Sequence, residues 1–127
     1  MTHKRPININ LFKIQLPLSA LLSITHRISG ILIFFLVLPI SAIALSLIFE
    51  SQDSYDSFIK FYSNSLTLKL AFIVLVLIFQ YHIFTGTRHM LMDFHFLNET
   101  LTSSFRSAVI TLFIFLLNAI ATIWIML

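Results

Sequence analysis

Three long runs without a single charged side chain dominate the sequence: residues 30–49, 70–87 and 107–127. They hold 20, 18 and 21 residues, and a hydrocarbon layer of about 30 Å is crossed by roughly 20 helical residues. Backbone polar groups inside lipid must pair within their own segment, so each run is a helix and not a strand. Composition closes the alternative of a water-soluble fold. Of the 127 residues 58% are hydrophobic and 10% charged, against about 25% charged in soluble domains. A chain this short cannot hide that much apolar surface in a core of its own. The expected fold class is an all-α membrane protein with three transmembrane helices.

The expected organisation is a single membrane domain over 1–127. It comprises an N-terminal segment 1–20, spans at 21–49, 67–91 and 106–127, an outer loop 50–66 and an inner loop 92–105. Residues 8–18 mix Ile9, Leu11, Phe12, Ile14 and Leu16 with Asn10, Lys13 and Gln15, as an interfacial segment does, and Pro17 separates them from the first span. Pro39 is expected to bend that span. The first apolar run exceeds the core of a signal peptide, and the N-terminus lacks the Ser-rich amphipathic run of a transit peptide, so neither is expected. No internal repeat, low-complexity tract or second domain is expected.

Charge sets the orientation. Lys4, Arg5, Lys13, Arg27, Arg88 and Arg106 fall on one side, against Lys60 and Lys69 on the other. The positive-inside rule then puts the N-terminus and the second loop in the cytoplasm. The net charge of +3 reads as this topology signal and not as a nucleic-acid surface. The absence of cysteine excludes disulfides, and cysteine-held zinc or iron–sulfur clusters, built from this chain alone.

Ionisable residues inside a span are expensive, so their positions are informative. Ser23, His26, Arg27 and Gly30 are spaced i, i+3, i+4, i+7 in the first span. His82, Gly86, His89 and Asp93 are spaced i, i+4, i+7, i+11 in the second. Each set shares one helical face. The topology brings both toward the same membrane surface, where they are expected to form a polar pocket, with His82 about 15 Å deep. Arg88 and Asp93 fall where interfacial snorkelling is ordinary, and His89 could be interfacial too. Ser23 could bond its own helix backbone. A neutral imidazole in hydrocarbon, as at His82, needs a hydrogen-bond partner or a metal. A deep histidine with Gly86 one turn on suits haem, since glycine lets a flat macrocycle approach the backbone. Arg27, His26 and His89 would then neutralise its propionates. Ser23 and Arg27 could equally bond a quinone carbonyl.

These residues also carry a resemblance. Arg5-Pro6, Pro17 and the run Ser23-Ile24-Thr25-His26-Arg27-Ile28-Ser29-Gly30, followed by His82, Gly86, Arg88, His89 and Asp93, resemble the two signatures of the cytochrome b membrane-anchor subunits of succinate dehydrogenase, respiratory complex II. The resemblance implies a haem b-binding anchor of a succinate:quinone oxidoreductase, active in electron transport and the tricarboxylic acid cycle. It implies His82 as an axial ligand to the haem iron, the other ligand coming from a second anchor subunit with which the three helices form a bundle. It implies Ser23 and Arg27 at the ubiquinone site, with His26, Arg27, His89 and Asp93 supporting the propionates and the quinone pocket. The implied partners are that second anchor, an iron–sulfur subunit, a flavoprotein subunit and membrane lipid. The lack of a transit peptide and the charge bias make the bacterial inner membrane the expected location, and the chain would have no catalysis of its own. The alternative is a haem-free structural anchor of a related enzyme such as fumarate reductase, its polar faces serving as helix–helix glue. A small transporter subunit fits less well, because it would place its ionisable residues at the midplane of paired repeats.

Overall fold

The computed structural model describes residues 16–98 and 100–127, and all of their regular structure is helical. Most of the expected interfacial segment, Arg5-Pro6 and the cations Lys4, Arg5 and Lys13 lie outside the described residues. Helix α1 runs Leu18–Glu50, α2 Gln52–Asn64, α3 Leu66–Asp93 and α4 Leu101–Met126. α1, α3 and α4 are long and apolar enough to cross a membrane. At 33, 28 and 26 residues they measure about 50, 42 and 39 Å at 1.5 Å per residue, so each overshoots the hydrocarbon layer.

Local chemistry explains where the helices start and stop. Pro17 sits in extended backbone, and its carbonyl accepts the N–H groups of Ala20 and Leu21 at 2.9 and 3.2 Å. Its fixed φ and missing N–H suit a helix entrance. Within α1, residues Ile33–Val37 form a π turn in which the N–H of Leu38 bonds the carbonyl of Ile33. Pro39 follows at once and has no N–H to continue the ladder. The bend expected at Pro39 thus takes the form of a widened turn on its N-terminal side. Ser51, Ser65 and Thr100 cap α2, α3 and α4, their hydroxyls accepting from Ser54, Leu68 and Ser103 at 3.1, 3.3 and 3.3 Å.

α3 ends in a Schellman turn. His95 adopts φ 60°, its N–H bonds the Met92 carbonyl at 2.9 Å, and the Phe96 N–H bonds that of Leu91 at 3.0 Å. Glycine usually fills this left-handed position, and histidine is among the few residues that visit it with any frequency. The segment between the first two spans, read from sequence only as a connection, contains α2. Phe58 and Tyr62 of α2 meet Phe72 of α3 edge-on, with ring centroids 6.1 and 5.8 Å apart.

In lipid no hydrophobic force pulls helices together, so small residues and interhelical hydrogen bonds must do it. α3 is the central element, packed against both α1 and α4. On α4 the small residues Ala108 and Ala119 are buried, and Gln80 of α3 and Thr122 of α4 exchange hydrogen bonds at 2.8 and 3.3 Å.

Arg88 joins the same interface, which differs from the snorkelling expected of it. It is 3% exposed. Its Nη2 donates to the carbonyl and hydroxyl of Ser104, both at 3.0 Å, and its Nε donates to the Ser107 hydroxyl at 3.1 Å. A small-residue helix face with two serines one turn apart offers the fork of acceptors that the guanidinium requires. Arg88→Ala is expected to destabilise the α3–α4 pairing by about 2–3 kcal/mol. Arg88→Lys should recover little of it, because a point charge cannot reproduce the fork. Thermal unfolding of the detergent-solubilised protein, followed by circular dichroism, measures both.

Candidate functional site

The first span carries His26-Arg27-Ile28-Ser29-Gly30 and the second carries His82-Ile83-Phe84-Thr85-Gly86. Both are His-x-x-Ser/Thr-Gly, and the antiparallel packing of α1 and α3 interlocks them with local two-fold symmetry. A Cβ built on Gly30 would lie 3.2 Å from Cε1 of His82, and one on Gly86 would lie 3.0 Å from Cε1 of His26. Each glycine is therefore the notch into which the other helix's histidine fits. The two rings stack with centroids 4.1 Å apart and planes 13° apart.

The hydroxyls complete the clasp, and their single protons settle the tautomers. Ser29 donates to the His26 carbonyl at 2.6 Å, so it can only accept at its 2.9 Å contact with Nδ1 of His82. Nδ1 of His82 also lies 3.3 Å from the His26 carbonyl, which accepts and cannot donate. His82 therefore carries its proton on Nδ1. By the same count, Thr85 donates to the Tyr81 carbonyl at 2.7 Å and accepts from Nδ1 of His26 at 2.9 Å. On both rings Nε2, the acceptor nitrogen of the neutral Nδ1–H tautomer, has no hydrogen-bond partner among the described residues. His89 tilts against His26 with centroids 5.3 Å apart, and its Nε2 is buried and unpartnered.

The structure thus brings together three of the expected site residues, His26, His82 and His89. Ser23 is half-buried and Arg27 exposed on the same side of α1, and neither has a hydrogen-bond partner among the described residues. Asp93 closes α3, exposed and without an ion pair among the described residues. Gly86 differs from expectation: the space it leaves is filled by His26, not kept open for a macrocycle. Sequence reasoning also passed over Ser29 and Thr85, which are 4% and 1% exposed. The repeated five-residue pattern was the signal that could have found them, and it is too short to register as an internal repeat. Thr25 and Tyr81, bonded through their hydroxyls just outside the clasp, were missed as well.

A side chain at Gly86 has nowhere to go, because the facing ring is held by both Thr85 and the stack. Gly86→Ala is expected to cost about 1–3 kcal/mol and to lower the midpoint of thermal unfolding. Combining it with His26→Ala, which vacates the notch, should recover part of that loss.

The donor chemistry suits a haem iron at one of these rings. A metal-ligating histidine ordinarily gives its second N–H to an acceptor that fixes tautomer and orientation. His82 meets that requirement twice over, through Ser29 and the His26 carbonyl. No group of three or more metal-ligating side chains stands together among the described residues, so a metal would need ligands from a prosthetic group or another chain.

Fold and site together define a multi-pass, all-α membrane protein whose first and second spans are fastened at a histidine cluster. The chain belongs to the succinate dehydrogenase/fumarate reductase transmembrane subunit family, whose model matches residues 1–123. It is 30% identical over 125 residues to the succinate dehydrogenase cytochrome b556 subunit of Coxiella burnetii, across 98% of this chain and 99% of that one. It is 33% identical over 132 residues to the cytochrome b560 subunit of Marchantia polymorpha, across 98% of this chain and 95% of that one. A similar subunit of Chondrus crispus is 37% identical over 102 residues, about three quarters of each chain (73% and 74%).

Proposed function

We propose that this chain is the haem b-binding anchor of a succinate:quinone oxidoreductase, and that it supplies part of the site where ubiquinone is reduced. The observation that carries the reading is His82: a ring deep in a span, its Nδ1–H held by Ser29 and the His26 carbonyl, its Nε2 without a hydrogen-bond partner among the described residues. The naming of the relatives as cytochrome b subunits supports it.

His82 would hold one haem, together with a ligand from a partner anchor subunit. Bound there, haem supplies a one-electron redox centre. The chain's own residues do the rest. His26 keeps His82 in place by stacking, Gly30 admits the His82 ring, and His89 with Arg27 offers donors to propionates on the N-terminal side of the bundle. Arg27 and Ser23, without hydrogen-bond partners among the described residues, would donate hydrogen bonds to a quinone carbonyl and stabilise negative charge as it develops there. Asp93 lies at the edge of this region in a supporting role. Electrons reach the quinone from succinate through flavoprotein and iron–sulfur subunits, since this chain has no cysteine with which to hold a cluster. On this reading the N-terminus and the α3–α4 connection face the cytoplasm at a bacterial inner membrane, on the side where those soluble subunits would dock; the bias of Lys and Arg toward that side supports the orientation.

A second reading is a haem-free anchor. The clasp supports it, because the Nδ1 bonds and glycine notches would also serve as packing alone. The optical spectrum of the co-purified complex separates the two. Oxidised and then succinate-reduced samples with a b-type Soret and α-band support the haem reading. A featureless spectrum with intact quinone reductase activity supports the second.

A further inference from the structure

We propose that Ser29 is the positioning residue that sets the orientation and donor strength of the His82 ring toward iron, a role that rests on the haem reading above. Ser29 is 4% exposed, so water does not compete for its hydroxyl. The hydroxyl proton is committed to the His26 carbonyl at 2.6 Å, which leaves the oxygen as a pure acceptor aimed at Nδ1–H of His82, 2.9 Å away. An acceptor at Nδ1–H gives the imidazole partial anionic character and makes Nε2 a stronger donor, which favours ferric over ferrous iron and lowers the reduction potential. The ring lies close against Gly30, its Cε1 only 3.2 Å from where a Cβ would stand, and this notch limits how far the ring can turn away from the bond.

Ser29→Ala deletes the nearer acceptor and leaves only the His26 carbonyl at 3.3 Å. The ring then remains able to ligate but is looser and less electron-rich. Ser29→Thr should restore the bond. Thr85 makes the equivalent one to His26 in the mirrored half of the clasp, and Ser29 borders an open apolar groove lined by all three spans, with room for the extra methyl.

The test uses the purified complex carrying wild-type, S29A, S29T or H82A chains. The measurements are haem content by pyridine haemochrome, potentiometric titration of the haem, and low-temperature EPR of the ferric low-spin signal. Succinate oxidation by a soluble dye serves as the control for assembly. S29A is expected to raise the midpoint potential and broaden the EPR signal, with S29T returning both toward wild type. If S29A complexes do not assemble, S29C, close in size but a weak acceptor, should give the same upward shift. A wild-type potential and line shape in S29A, or in S29C where it is the variant used, overturns the role of Ser29. An unchanged haem spectrum in H82A instead overturns the assignment of the ligand itself. The two failures are thereby distinguished.

Discussion

Replacing His82 with alanine is expected to remove or severely weaken the b-type absorption of the purified complex while all three spans remain inserted. Haem per complex should fall at least about tenfold, since even loss of an outer partner of a metal ligand costs about 10–100-fold in affinity. The protein should survive because what His82 contributes to packing is local. Its ring fills the Gly30 notch, stacks on His26 and accepts a fixed position from Ser29. The contacts of α3 with α4, including Arg88 with the two serines and Gln80 with Thr122, do not involve it. Haemochrome content and the reduced-minus-oxidised spectrum provide the measurement, with immunodetection of the anchor in membranes as the control for insertion. Retention of the full wild-type spectrum would leave His82 as a packing residue.

Arg27→Ala should divide two activities that normally run together. Quinone reduction by succinate is expected to drop by about 10²–10³-fold, the usual loss when one preorganised donor to a developing oxyanion is removed. Succinate oxidation by a soluble dye, which bypasses the anchor, should stay close to wild type. The geometry favours a clean result. Arg27 is exposed and has no hydrogen-bond partner among the described residues, so its removal opens no cavity and strands no buried group. Equal loss of both activities would count against a quinone role and point to failed assembly.

The three spans were legible from sequence because lipid allows few choices: a charge-free run of sufficient length has to be a helix. The polar faces were legible for a related reason, since histidine and arginine in such a run stand out. What sequence did not reveal was how those faces mesh. Helical spacing put His26 and Gly30 on one side of α1, and His82 and Gly86 on one side of α3, but periodicity carries no information on axial register between helices. The contact of His26 with Gly86, and of His82 with Gly30, comes only from packing. Arg88 was misread for the same reason. Its depth in sequence matched an interfacial cation, and only the placement of Ser104 and Ser107 on a neighbouring helix makes burial tolerable. α2 was missed because a helix of 13 residues that carries Asp53, Asp56 and Lys60 is too short and too polar to show up as a span.

The clasp divides the chain into stretches that can and cannot change length. An insertion or deletion of one residue inside 26–30 or 82–86 would rotate one histidine about 100° away from its notch, and both halves would disengage together. Between those segments the connection carries no such constraint. The π turn at Ile33–Val37, just after Gly30, is the kind of place where α1 accommodates an added residue without disturbing the turn below it. Natural length variation in chains built this way should therefore gather beyond that turn and around α2, while the five-residue segments keep their length. Where either glycine is lost, the histidine facing it should be lost with it.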